Sequence, residues 1–125
     1  MHLIFGGAYQ GKLDYAIGRY GLIESDIYTC RESEEIDFSK KAVNRLEDFV
    51  LYCLRHDMEA KDNLKSHQKN WQDKVIICTD LSSGIVPYEA ELRAWREMTG
   101  RTMVYLGGEA EEVTRMFCGI PQRLK

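Results

Sequence analysis

A glycine-rich stretch enclosed by two different periodicities constrains this chain most. Residues 2–5, "HLIF", form a continuous apolar run, and "GGAYQGK" follows at 6–12. Leu13, Ala16, Ile17 and Tyr20 then recur at intervals of three and four. A short apolar run bounded by glycines predicts a buried strand feeding a tight turn. The second spacing predicts one apolar face of a helix over Lys12–Tyr20, with Gly21 placed to stop it. A strand, a glycine turn and a helix in that order begin an α/β unit.

The turn reads Gly6-x4-Gly11-Lys12-Leu13. A phosphate-binding loop has the pattern G-x-x-x-x-G-K followed by Ser or Thr. Its glycines let the backbone curl so that successive N–H groups face an anion. The helix behind it offers its positive end to the same anion, and the lysine brings a mobile charge to the outer phosphates. The candidate nucleotide-binding residues are therefore Gly6, Gly7, Ala8, Tyr9, Gln10, Gly11, Lys12 and Leu13, with Lys12 also the candidate catalytic cation. Leu13 cannot give a metal its hydroxyl ligand. Its side chain is expected on the apolar face of the helix. The competing reading is a strand-to-helix turn that shares this spacing by chance.

Further along, "DIYTC" suggests a second strand, and Ser39 a cap for a long helix over 40–56, with Val43, Leu46, Phe49, Val50, Cys53 and Leu54 on one side. "DMEAKDNLKSHQKNWQ" suggests a second helical segment. "KVIICTD" holds four apolar residues in a row, as a central strand covered on both faces requires. "LSSGIVP" reads as a loop, Pro87 as the start of a helix ending near Gly100, and "VTRMFCGI" as the last strand. Residues 102–110 fit either a strand with a Gly-Gly turn or a helix. Alternating strands and helices imply an α/β fold with a mostly parallel central sheet flanked by helices, like that of phosphate-loop (P-loop) nucleoside triphosphatases, P-loop NTPase-like. At 125 residues the chain suits a single nucleotide-binding domain over 1–125.

The 17 basic residues are outnumbered by 20 acidic ones, which argues against nucleic acid as a partner. No run of about 18 apolar residues is available to span a bilayer, and no signal segment precedes the first strand, so no membrane partner is expected. The four cysteines, Cys30, Cys53, Cys78 and Cys118, form no C-x-x-C pair. They read as free thiols in a reducing cytoplasm, with Cys78 and Cys118 inside apolar runs as small buried hydrophobes.

The second half carries a resemblance. "GIVP" leads into Arg93-Ala94-Trp95-Arg96-Glu97-Met98-Thr99-Gly100-Arg101, then come Glu112-Val113 and Gly119-Ile120-Pro121. In that order, with the Gly6-Gly7 to Lys12 loop at the front, these motifs resemble the adenosylcobinamide kinase / adenosylcobinamide-phosphate guanylyltransferase family. The resemblance covers the first 20 residues and everything after about Val75. It implies ATP or GTP as cofactor, with Mg2+, and phosphoryl transfer to the hydroxyl of adenosylcobinamide, a step of cobalamin biosynthesis. It also implies a homo-oligomer. The chain departs from the family in four places. The loop ends in Leu13 where the family has Ser. Thr79-Asp80 replaces an Asn-Glu pair, and Met103-Val104 an Asn-Gln pair. The region "CRESEEIDFSKKAVNR" holds no histidine, whereas guanylyl transfer in the family passes through one. The resemblance thus points to a compact, partly degenerate branch.

Asp80 follows the clearest strand, where ligands bind in open parallel sheets. As a catalytic and metal-binding candidate it would hold Mg2+; equally, it could close the "DLSSG" loop by a turn hydrogen bond. Glu47 and Asp48 read as a solvated helix face, and Ser82 and Ser83 as loop serines. His2, His56 and His67 have no partner at ligand spacing. Two functions follow: a kinase of the adenosylcobinamide type, or a catalytically inactive homologue that binds a nucleotide or corrinoid and regulates.

Overall fold

The computed structural model describes residues 1–82 and 84–125. Strands β1 (His2–Gly6), β2 (Ile27–Thr29), β3 (Ala42–Asn44), β4 (Val75–Thr79), β5 (Glu112–Phe117) and β6 (Ile120–Arg123) form one sheet in the order β2-β3-β4-β1-β5-β6. The first five are mutually parallel, and β6 returns antiparallel along β5. Helices α1 (Lys12–Tyr20), α2 (Leu46–Arg55), α3 (Ala60–Ser66), α4 (Gln68–Trp71) and α5 (Ala90–Glu109) cover it. The expected α/β architecture with a mostly parallel sheet flanked by helices is present.

The register explains the two-layer cover. In β1, Leu3 faces one side and Ile4 the other; in β4, Ile76 and Ile77 divide the same way. Ile4, Ile77, Val75 and Met116 pack with Ala16 and Leu22, under α1. Leu3, Ile76 and Cys78 pack with Phe49, Val50, Leu64, Met98 and Leu106, under α2, α3 and α5. A strand buried on both faces reads as a continuous apolar run, which is why "VIIC" was conspicuous.

The topology also fixes where a ligand can sit. From β1 the chain crosses by α1 to β2 at one edge; from β4 it crosses by α5 to β5, beyond β1. The neighbours β1 and β4 thus send their connections in opposite directions. The crevice beyond their carboxyl ends is the topological switch point of the sheet.

Four expectations are corrected. The helix foreseen over 40–56 starts only at Leu46; β3 precedes it, and Arg45 breaks the path in the left-handed region at φ 59°. The helix foreseen from Pro87 starts at Ala90 and runs through Gly100 to Glu109, which settles 102–109 as helical, with Ala110 its extended cap. Buried Met98, Thr99, Thr102 and Leu106 hold it against the core, and that packing outweighs the weak helix propensity of three glycines. The last segment is a hairpin, not a single strand: β5 ends at Phe117, and Cys118 and Gly119 turn the chain into β6. Cys118 is exposed at that turn, unlike the buried Cys30, Cys53 and Cys78; all four are free.

Candidate functional site at the switch point

Gly6 ends β1 in contact with its neighbour. A Cβ there would lie 2.5 Å from the Met116 carbonyl oxygen on β5, so only glycine fits. After it the chain turns sharply. Tyr9 takes φ 59° and projects fully into solvent; Gly11 takes φ 86° and caps α1 from the left-handed region. No side chain caps α1. The N–H groups of its first turn therefore remain available to an anion, and the helix dipole adds a partial positive charge.

The loop is braced from behind. The Gln10 carbonyl accepts from Gly119 N–H at 3.2 Å, and the Gln10 side-chain oxygen accepts from Cys118 N–H. The β5–β6 turn, absent from the sequence expectation, is thus the brace of the glycine loop. Leu13 packs partly buried against the α1-side core, as its place on the apolar face required.

Lys12 reaches back over the loop, and its Nζ donates to the Gly7 carbonyl at 2.6 Å. Burial lowers the Lys12 ammonium from its ordinary value; nearby Glu47 draws it back up, and Arg45 pushes it down. Two cations, Lys12 and Arg45, therefore face one cleft of about 460 Å³, within the ordinary size range of small-molecule sites. The loop from Ala8 to Leu13 forms one wall, Asn44, Arg45 and Glu47 a second, and Thr79, Leu81 and Trp95 the third.

Glu47 is the residue that sequence reasoning placed wrongly. It is only 3% exposed, and its Oε1 accepts from the Thr79 backbone N–H at 2.9 Å. Its backbone carbonyl accepts from the Trp95 indole Nε1 at 2.7 Å. An acid in the first turn of a helix normally serves the dipole from the surface. The signal for burial was its place three and four residues before Val50 and Leu51, both buried. Asp48, by contrast, bonds Arg45 Nε at 2.8 Å near the surface.

Asp80 lies at the expected strand end, and its N–H donates to the Gly6 carbonyl at 2.8 Å. Its carboxylate accepts from the Ser82 N–H at 2.8 Å and from the Ser82 hydroxyl, the turn arrangement that was the alternative for this residue. The cleft wall at this point is formed by its neighbours Thr79 and Leu81. Ser83 lies outside the described residues. Among those described, no group of three or more His, Cys, Asp or Glu residues is arranged to hold a metal ion alone.

His56 closes α2, with Nδ1 2.8 Å from the Tyr52 carbonyl, and His67 lies at the α3–α4 junction. His2 sits 3.2 Å from Glu112 at the opposite end of the sheet. None lines the cleft. Among the described residues, no helix is long and apolar enough to cross a membrane. No known family profile matches the chain, and no curated protein matches it.

Proposed function

We propose that this chain is a phosphate-loop nucleotide-binding domain for ATP or GTP, acting as a phosphotransferase of the adenosylcobinamide kinase type. The observation that carries the nucleotide reading is the position of Lys12. The ammonium lies over an uncapped helix start, behind a left-handed Gly11, in the cleft at the β1/β4 switch point. Each feature favours an anion, and they converge on one place.

In this reading the loop N–H groups and Lys12 hold the β- and γ-phosphates. Lys12 leaves the Gly7 carbonyl for the phosphate oxygens, and Arg45 adds a second positive charge from the opposite wall. Magnesium, when bound with the nucleotide, neutralises phosphate charge. Catalysis is then positioning and electrostatic stabilisation of the transferred group. The acceptor hydroxyl, that of adenosylcobinamide, is taken from the motif resemblance alone. A homo-oligomer rests on the same resemblance.

A second reading is favoured by specific residues. Leu13 removes the loop hydroxyl, and the Asp80 carboxylate is engaged by Ser82. A domain with an intact cradle and a weakened metal shell would bind nucleotide, or a corrinoid, and regulate without turnover.

Calorimetric titration of ATP and GTP, with and without magnesium, tests the nucleotide reading. Binding that is lost in Lys12→Ala supports it, and no binding by the native protein refutes it. A kinase assay on adenosylcobinamide then separates the two functions: phosphorylated product marks the enzyme, and binding without product marks the regulator.

A further inference from the structure

The question left by Leu13 is where a nucleotide's metal would find protein ligands. We propose that Glu47, with the hydroxyl of Thr79, contributes the protein's share of the shell of a divalent cation that enters with the nucleotide phosphates. This rests on the nucleotide reading above and extends it to a pair of residues outside the loop.

The argument starts from burial. A carboxylate that is 3% exposed needs a reason to be where it is, because removing its charge from water is costly unless partners compensate. Glu47 has one backbone N–H on Oε1, from Thr79, while its own backbone carbonyl is fixed by Trp95. The group is thus held rigidly at the end of β4, on the cleft wall, beside Lys12. Lys12 is drawn to the Gly7 carbonyl rather than paired with this acid. A triphosphate arriving alone would meet a fixed negative charge next to its own. A divalent cation between them turns that repulsion into attraction.

Magnesium and manganese favour such a site. They keep several waters and take one or two carboxylates together with substrate phosphates, rather than a preformed protein cage. A single fixed carboxylate beside a phosphate cradle is therefore sufficient, and the lack of a larger acidic group among the described residues is no obstacle. Thr79, on the adjoining wall at the end of β4, brings a hydroxyl to the cleft in place of the one that Leu13 removes from α1. Asp14 also lines the cleft, but it is exposed on the first turn of α1. Being unanchored, it has no comparable hold on a cation.

The test measures the affinity of the β,γ-imido analogues of ATP and GTP in EDTA and in Mn2+, followed by calorimetry. In the native protein Mn2+ is expected to tighten binding by about tenfold or more, a difference of about 1.4 kcal/mol. Glu47→Gln retains an oxygen for the Thr79 N–H, and Thr79→Val retains shape and backbone. Both should bind in EDTA at least as well as the native protein, with the Mn2+ effect reduced to about twofold. Asp14→Asn should leave the effect intact. If Glu47→Gln does not fold, Thr79→Val decides alone. A full Mn2+ effect in the folded variants, or its loss in Asp14→Asn instead, would overturn the assignment. So would metal-independent binding by the native protein, although the nucleotide reading would then survive. No binding to the native protein under any condition would remove both.

Discussion

At the amino end of the sheet, Glu112 is approached by His2 at 3.2 Å and Arg19 at 3.9 Å, and the His2 and Tyr20 rings lie 5.2 Å apart. The terminal ammonium donates to the Gln72 carbonyl at 2.5 Å. Charges there are matched to charges, and α1 ends in a left-handed glycine cap. The carboxyl end is built differently. Tyr9, Gly11, Arg45, Cys118 and Gly119 all take positive φ, α1 starts uncapped, and two cations share a cleft. The same parallel strands carry both ends. The contrast teaches that left-handed backbone is concentrated around the cleft, with Gly21 and Asp57 taking it elsewhere; such concentration marks functional sites.

The largest expected effect breaks the carboxyl end outright. Gly6→Val places a branched side chain against the Met116 carbonyl in the centre of the sheet. Urea denaturation should show a loss of about 1–3 kcal/mol or more, or failure to fold. The matching change at the amino end, Glu112→Gln, should cost less than that.

Next, Lys12→Met should separate stability from function. Nucleotide affinity should fall by about tenfold or more, since a charge-assisted bond is removed. Stability at neutral pH should hold or rise. Burial lowers the Lys12 value, so the unfolded chain binds its proton more readily than the folded one. The charged lysine therefore opposes folding below its folded value, and that penalty fades as pH rises toward the ordinary lysine value. A native stability curve that rises across this alkaline window, and flattens in Lys12→Met, is the expected signature.

Gln10→Ala tests the brace. It removes the acceptor for Cys118 N–H and should cost about 1 kcal/mol in denaturation, with weaker nucleotide binding from a looser loop.

The smallest effect lies away from the cleft, between α3 and α5. Arg101 bonds Glu59 at 2.9 and 3.1 Å and holds its carboxyl below the ordinary value. A lowered carboxylate stabilises the fold above its unfolded value, and the contribution is lost as pH falls through the folded one. Arg101→Met should therefore flatten the acid limb of stability by less than about 1 kcal/mol.

The parts of the fold that announced themselves in the sequence are those governed by one local rule. Residues 2–5 and 75–78 are apolar runs, and 13–20 keeps a helical period up to a glycine stop. β3 was hidden because Val43, Leu46 and Val50 continue a helical spacing across the break at Arg45. A three-residue strand is too short to show its own period. The second half of α5 was obscured by Gly107 and Gly108, which have open space where a Cβ would be and so are not forced by packing. The hairpin was hidden because β6 is only four residues long and its turn only Cys118 and Gly119; Pro121 is tolerated in this edge strand. In the site, the loop was evident because its chemistry is contiguous. Glu47, Arg45 and Trp95 come from α2, the turn before it and α5, and only tertiary structure brings them to Lys12.

The most direct test of the central claim is amide mapping by 15N–1H NMR, with GTP and ATP titrated into the native protein. The account predicts that shifts concentrate at Gly6–Leu13, Glu47 and Thr79, while His2, Tyr20 and Glu112 at the other end stay unmoved. Shifts centred on the amino end, or none at saturating nucleotide, would contradict it.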